Sequence, residues 1–315
     1  MTSDSYQLML DGLTDAPTVA ELAQIEQVAA SIAAEAGEVL LDRFRSTLEV
    51  EYKDEHRSDP VTEVDRAVEA LVQGTVAEQF PDHGLLGEEG GDVDPSGRDY
   101  VWIIDPLDGT SNFISGMATF ACSIGVVWRG IPVVGALFLP TNRHLQPGVY
   151  RGHMGGGVHF DDLPFHFQPA DAPPTARLSA IPGGTGGVTG PKGRRFGVAR
   201  TLGSIAAELA YTAEGTFQMA MFDGAKVWDV AGGLALCLEA GAAVYVRSRK
   251  TAPWRPIERF AGSDAEPPSI ADLRAWNQAV AVGVPEVLPD LARDLQKEQG
   301  VVAVLRRLIL REGDN

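Results

Sequence analysis

The apolar positions of this chain follow two different rhythms. Leu22, Ile25, Ala29, Ile32, Ala36 and Leu40 recur three or four residues apart, which predicts one long amphipathic helix from Thr18 to Phe44. Thr18 followed by Glu21 gives it a capping-box start. A second helix is predicted from Glu63 to Phe80, with Pro81 ending it. Then the rhythm changes. Tyr100–Ile104 is a continuous apolar run, the pattern of a buried strand, and it leads straight into Asp105. Phe120–Trp128 and Ile131–Leu139, joined by Arg129–Gly130, predict an antiparallel hairpin. His153–Phe160 contains three successive glycines and predicts a further strand with a bulge or tight bend.

From about Phe167 to Lys192 the pattern lapses into Pro, Gly, Ala and Thr, with Pro173–Pro174 and Gly183–Gly184, which predicts a linker or long loop. It divides the chain into an N-terminal α+β half, residues 1–166, and a C-terminal α/β half, residues 167–315. The second half alternates: a helix over Ser204–Ala213, a strand over Phe217–Phe222, a helix over Asp229–Ala240 and a strand over Ala242–Val246. The tail, Pro285–Glu312, reads as mostly helical and packed on the outside.

Composition narrows the function. The 315 residues suit one large domain or two closely packed ones, and 44% hydrophobic residues supply a core without staples. There are 43 acidic and 26 basic residues, a net charge of -17. Such a surface repels nucleic acid and anionic membranes, so neither is expected as a partner. An acidic protein that handles a phosphate needs local positive charge, usually from metal ions or helix N-termini. Cys122 and Cys237 sit in apolar runs and read as buried, reduced thiols. Met1–Leu13 has no basic start and the chain has no apolar run of about 18 residues, so a cytoplasmic protein is the expectation.

The candidate chemistry is acidic. In Trp102–Phe113, WIIDPLDGTSNF, Asp105 and Asp108 flank Pro106–Leu107 and precede Gly109 and Thr110. Two carboxylates at the end of a strand can clamp a hard cation, and the following turn can offer its N–H groups to a phosphate. A plain surface turn has the same composition, but a carboxylate carried in by a buried strand needs a partner. Leu85–Gly90 adds Glu88 and Glu89, and Trp228–Asp229 opens a helix that runs through Gly232–Gly233. Read singly, these are a solvated pair and an N-cap.

Read together they are more specific. Asp59 with VTEVD soon after it, then GEE, DPLDGT and WDVAGG, follow the order of the inositol monophosphatase-like family, the magnesium-dependent, lithium-sensitive phosphatases. The chain resembles that family from about residue 20 to about residue 285. The resemblance implies an α/β (α+β) fold, a layered α/β/α/β/α sandwich of two intimately packed halves with the metal site between them. It also implies two or three Mg²⁺ ions. Glu88, Asp105 and the carbonyl of Leu107 would hold the first, Asp105, Asp108 and Asp229 the second, and a weaker third would lie near Glu88. Glu88 and Thr110 would orient and deprotonate the attacking water. Gly109 and Thr110 would receive the phosphate, with Asp108 beside it, and Glu89 and Asp59 would support the ligands. Thr62 and Asp65 read as a capping pair for the second helix.

The same resemblance implies a small phosphorylated metabolite as substrate, with inositol monophosphate foremost. Histidinol phosphate, a nucleoside 3′,5′-bisphosphate and fructose 1,6-bisphosphate are the alternatives. Leu202–Gly203–Ser204 matches the family's glycine–hydroxyl turn, and Ile205 is larger than usual there. Phe222 stands where inositol-preferring members carry glutamate, so the adjacent Asp223 either substitutes for it or is only a turn residue. A bisphosphate needs extra cations, for which Arg200 and Lys226 are candidates. A catalytically silent metal- or phosphate-binding regulator is the rival of another class, but every matched ligand position is present. A homodimer is an expectation from the family alone.

Overall fold

The computed structural model describes residues 15–52, 56, 60–93, 97–181, 189–190, 194–195, 197–249, 252–263, 266–285 and 288. Helix α1 (Val19–Arg43) starts where the Thr18 hydroxyl accepts the Glu21 amide at 3.2 Å and ends where the Phe44 amide donates to the Leu40 carbonyl. Its buried stripe contains all six apolar positions of the sequence pattern. A short ladder of β1 (Val50–Tyr52) and β2 (Pro60–Thr62) leads into α2 (Glu63–Gln79), which buries Val64, Val68, Val72 and Val76.

Seven strands form the first sheet in chain order: β3 (Gly84–Gly87), β4 (Tyr100–Asp108), β5 (Ala121–Trp128), β6 (Ile131–Leu139), β7 (Gly148–His153), β8 (Gly157–Phe160) and β9 (Leu163–Phe165). One short helix, α3 (Thr110–Ile114), interrupts the path from β4 to β5. β3 and β4 run parallel, and the other neighbours are antiparallel. The segment His153–Phe160 is not one bent strand. It is the end of β7, a turn and the whole of β8, because Gly155 and Gly157 take φ of +77° and +79°, where glycine reverses a chain without strain.

The second sheet contains β10 (Leu178–Ala180), β13 (Val198–Arg200), β14 (Phe217–Lys226), β15 (Ala243–Arg247), β16 (Arg255–Pro256) and β17 (Asn277–Gly283), ordered β13–β10–β14–β17–β15–β16. Between β10 and β13 a two-residue ladder joins β11 (Thr189–Gly190) to β12 (Arg194–Arg195). The predicted linker therefore holds an inner strand, β10, which pairs in parallel with both β13 and β14. Three residues among prolines and glycines carry too little pattern to announce it. Residues 182–188 and 191–192 of that linker, including Gly183–Gly184 and Lys192, lie outside the described residues.

Helices α4 (Ile205–Ala213) and α5 (Val227–Glu239) lie between the sheets, and α5 touches strands of both. Glycine permits that closeness. A Cβ on Gly232 of α5 would stand 2.6 Å from the Ile124 carbonyl, and one on Gly125 would stand 2.5 Å from the Gly232 nitrogen. Backbone thus lies on backbone, and the start of α5 is fixed relative to β5. On the opposite face α1 lies against β6, where a Cβ on Gly37 would enter the Phe138 ring. A short helix, α6 (Ile270–Ala275), precedes β17. The fold is a layered α+β sandwich of helices, sheet, helices, sheet. On the outer face of the second sheet Met219, Ala243 and Ala281 gather around Leu288. The predicted helical tail from Pro285 to Glu312 falls almost wholly outside the described residues.

Candidate active site

The site begins at the one parallel pair of the first sheet. Gly87 of β3 pairs with Ile104 of β4, and the Glu88 amide donates to the Ile104 carbonyl at 3.1 Å. Glu88 therefore leaves β3 beside Asp105. The apolar run before Asp105 carries its carboxylate inside, leaving it 3% exposed. β4 does not stop there. It continues to Asp108 across a bulge that contains Pro106, which has no N–H to give the ladder. Residues three apart on a regular strand face opposite ways, and the bulge brings Asp105 and Asp108 into each other's field.

The turn that follows is tightly specified. The Leu107 amide donates to Asp105 Oδ1 at 3.1 Å, and the Thr110 hydroxyl donates to the Leu107 carbonyl at 2.9 Å. Gly109 takes φ of +92°, and a side chain there would press on the carbonyls of Thr119 and Gly203. The two halves meet at this point. Asn112 donates to the Thr119 and Leu202 carbonyls at 2.7 and 2.8 Å, which holds the Leu202–Gly203–Ser204 turn against the loop after α3. Ser204 caps α4, accepting the Ala207 amide at 3.2 Å, and its hydroxyl donates to Asp108 Oδ2 at 2.6 Å. The Ala206 amide donates to the same oxygen. Asp108 is thus anchored in the second half by one oxygen.

Asp229 arrives with α5. It is not the cap itself but the third helical residue, and it accepts the Lys226 amide at 2.8 Å. Ser123, opposite Asp105 on β5, has its hydroxyl 3.5 Å from the Trp228 carbonyl, so the start of α5 stands next to Asp105.

The electrostatics are lopsided. Burial, then the charges of Glu88, Asp108 and Asp229, push Asp105 well above the usual carboxylate range. Burial raises Asp108 to about 6, against the pull of the Ser204 hydroxyl and the Ala206 and Ile205 amides. Burial and the Asp108 charge raise Asp229 to about 7, with the Lys226 amide and charge opposing. No basic side chain is among the main influences on Asp105 or Asp108. Among the described residues no three Asp, Glu, His or Cys side chains converge into a ready-made cage. The carboxylates share a field rather than a chelate. Their chemistry still fits one kind of group, a hard, oxygen-seeking divalent cation.

Other predicted residues take varied places. Glu89 is half-buried, and its amide donates to Glu69 Oε2 at 2.9 Å. Gly203 takes φ of +78° against Asn112. Phe222 is buried, whereas the side chain of Asp223 is 61% exposed at a bulge of β14 and lies 4.0 Å from the Arg247 guanidinium. Arg200 is exposed and Lys226 half-buried. Asp59 lies outside the described residues. Both cysteines are buried, and burial pushes their thiols far up.

Sequence reasoning missed several participants. The Thr62–Asp65 capping box is present, but Asp65 Oδ1 also lies 3.4 Å from the Thr110 hydroxyl, so it belongs to the site. Burial raises it to about 6. Glu69, one turn later, is raised to about 7 by burial and steadies the Glu88 loop. Its spacing of four from Asp65 on one helix face was the available signal. Glu208, also raised to about 7 by burial, accepts the Leu202 amide under the glycine–serine turn. A separate surface hollow of about 450 Å³, lined by Glu38, Asp42, Arg43 and Glu63 among others, contains none of the predicted ligands. Among the described residues no helix is long and apolar enough to cross a membrane.

Comparison with known proteins agrees with this fold. The chloroplastic phosphatase IMPL1 of Arabidopsis thaliana is 33% identical over 249 residues, 71% of this chain and 62% of the plant protein. The chain thus spans less than two thirds of that relative. The fructose-1,6-bisphosphatase/inositol-1-monophosphatase of Aquifex aeolicus (strain VF5) is 32% identical over 230 residues, 68% of this chain and 83% of its own. The fold matches the crystal structure of the extragenic suppressor protein suhB from Bartonella henselae with a TM-score of 0.65 at 24% identity, over 87% of this chain and 99% of that one. The sequence profile of the inositol monophosphatase family matches residues 21–275, from α1 to the end of α6. That match spans most of the chain, and the chain belongs to the inositol monophosphatase family.

Proposed function

We propose that this chain is a Mg²⁺-dependent phosphatase that hydrolyses the phosphate monoester of a small soluble alcohol, inositol monophosphate foremost. The observation that carries this reading is the mutually repelling set of Glu88, Asp105, Asp108 and Asp229, its aspartates pushed up by burial and by one another. Such a set is costly unless a cation completes it. Glu88, Asp105 and the Leu107 carbonyl would hold one Mg²⁺. Asp105, Asp108 and Asp229 would hold a second, with Asp108 Oδ1 the oxygen that Ser204 leaves open. A weaker third would sit near Glu88. Bound there, the ions would polarise the phosphoryl oxygens, acidify a water and steady the leaving oxygen.

The chain's own residues do the rest. The left-handed turn at Gly109 presents the Gly109 and Thr110 amides to the phosphate. Glu88 takes the proton of the attacking water. The Thr110 hydroxyl, held between the Leu107 carbonyl and Asp65, orients that water. Gly203 and Ser204 frame the alcohol side, and Ile205 narrows it. Phe222 leaves Asp223 as the acid nearest in sequence for the alcohol hydroxyls. The buried, proton-holding thiols of Cys122 and Cys237 are unsuited to act as nucleophiles.

Phosphate release tests this directly. Inositol monophosphate, histidinol phosphate, a nucleoside 3′,5′-bisphosphate and fructose 1,6-bisphosphate are each supplied with Mg²⁺ or with chelator. Magnesium-dependent release from one, well above the others, supports the reading and names the substrate. A folded protein that binds Mg²⁺ but releases phosphate from none turns the reading towards a silent regulator.

A further inference from the structure

Arg274 belongs to none of the motifs above. It stands in the last turn of α6, in the second half of the chain, yet it reaches the loop that carries Glu88. Its Nη2 donates to the Gly87 carbonyl at 2.8 Å and lies 2.8 and 2.9 Å from the two carboxylate oxygens of Asp92. Asp92 in turn accepts the Gly87 amide at 3.3 Å, so the pair grips this peptide segment from both sides. The same guanidinium lies over the Trp228 ring, 5.4 Å from its centroid. Gly87 is the residue before Glu88, and Trp228 is the residue before Asp229. One side chain thus touches the neighbour of a carboxylate in each half.

We propose that Arg274 is a positioning residue that sets the spacing of Glu88 and Asp229 and thereby raises the affinity of the site for its divalent cations. The inference rests on the metal-dependent reading above. Like charges on two halves push the seam apart, and a planar cation that donates on one side and stacks on the other opposes that push. Its position fits the role of an outer residue that orients metal ligands without touching the metal.

A second group of the same type supplies the control. Arg129 donates to Asp99 at 2.7 Å and lies over Trp128 at 4.8 Å, at the far end of β4 and β5 from Asp105. The experiment compares wild type with Arg274→Gln, Arg274→Lys, Asp92→Asn and Arg129→Gln. Mg²⁺ binding to the substrate-free proteins is measured by calorimetry, alongside Tm and the Mg²⁺ dependence of phosphate release. Arg274→Gln is expected to weaken Mg²⁺ binding about tenfold, with kcat at saturating Mg²⁺ nearly unchanged. Arg274→Lys recovers part of the loss, because one nitrogen makes all three polar contacts. Asp92→Asn weakens binding in the same direction, and Arg129→Gln lowers Tm without moving Mg²⁺ affinity. Mg²⁺ affinities within twofold of wild type for all Arg274 and Asp92 variants overturn the proposal, as does an equal loss in Arg129→Gln. A wild type that binds Mg²⁺ without turnover defeats the phosphatase reading, and calorimetry then still decides on Arg274. A wild type that binds no Mg²⁺ overturns both.

Discussion

Glu26 and Asp105 are buried to nearly the same depth, 4% and 3% exposed, on opposite faces of one sheet. Glu26, on α1, meets Arg151 and His153 of β7. Burial pushes its pKa up, but hydrogen bonds from His153 and Arg151 and their charges hold it below the ordinary value. Asp105 meets Glu88, Asp108 and Asp229, and its main influences all push it up. The first acid is neutralised within the chain. The second is surrounded by its own kind. Depth of burial therefore does not separate an acid paired within the chain from one of the proposed metal-binding set; the sign of its neighbours does.

The comparison breaks if the two places respond alike when a carboxylate is removed. Asp108→Asn is expected to lower turnover on the order of a thousandfold or more, the scale of about 4 kcal/mol of transition-state stabilisation. Its stability should hold or rise in chelator, because the amide oxygen still accepts from Ser204 and a repelling charge is gone. Substantial retained turnover defeats the ligand assignment. Glu26→Gln should do the reverse. It leaves Arg151, 27% exposed at its side chain, without its buried counter-charge, and costs about 3 kcal/mol in chemical denaturation. Turnover below the unfolding transition should match wild type. A large loss there places Glu26 in the chemistry.

The two places also titrate with opposite sign. The lowered pKa of Glu26 gives stability that is present above its unfolded value of 4.5 and lost as pH falls through the folded one. Asp108 and Asp229 are raised from 3.8 to about 6 and about 7. There the folded state holds the proton more tightly than the unfolded state. Its stabilisation is full below 3.8 and is lost as pH rises through the folded values. Asp65, Glu69 and Glu208 act in the same direction. In chelator, the protein should therefore be more stable at about pH 5 than at about pH 7.5, by on the order of a few kcal/mol and with a higher Tm, and Mg²⁺ should close the gap. A chelated protein whose Tm is flat across that range contradicts the sign.

Which parts of this were legible depended on range along the chain. The α1 stripe and the entry of Asp105 were readable because periodicity and a buried run are local. The order of GEE, DPLDGT and WDVAGG carried the family, and the β5–β6 hairpin was readable from its two runs. β10 escaped because three residues inside a Pro- and Gly-rich stretch make no pattern, and their pairing comes from strands elsewhere. Asp65 looked complete as a cap because its partner Thr62 is three residues away, whereas Thr110 is 45 away. Arg274 reaches Gly87 across 187 residues, a contact that no local spacing encodes.

The finest contrast is between two hydroxyl caps. Thr18 caps α1 at an exposed helix start, accepting the Glu21 amide. Ser204 caps α4 in the same manner but also donates to Asp108, and among the pulls that lower that acid it is the largest. Thr18→Ala and Ser204→Ala should each cost about 1 kcal/mol, the ordinary loss of a cap. Only Ser204→Ala should also change the chemistry. Without its hydrogen bond Asp108 rises further, protons compete better with Mg²⁺, and the acidic limb of the pH–rate profile moves to higher pH. Saturating Mg²⁺ should pull that limb back, since cation and proton contend for one carboxylate. Profiles that coincide for the two alanine variants would mean that Ser204 is a cap and nothing more, and that Asp108 owes its state to burial and its fellow acids alone.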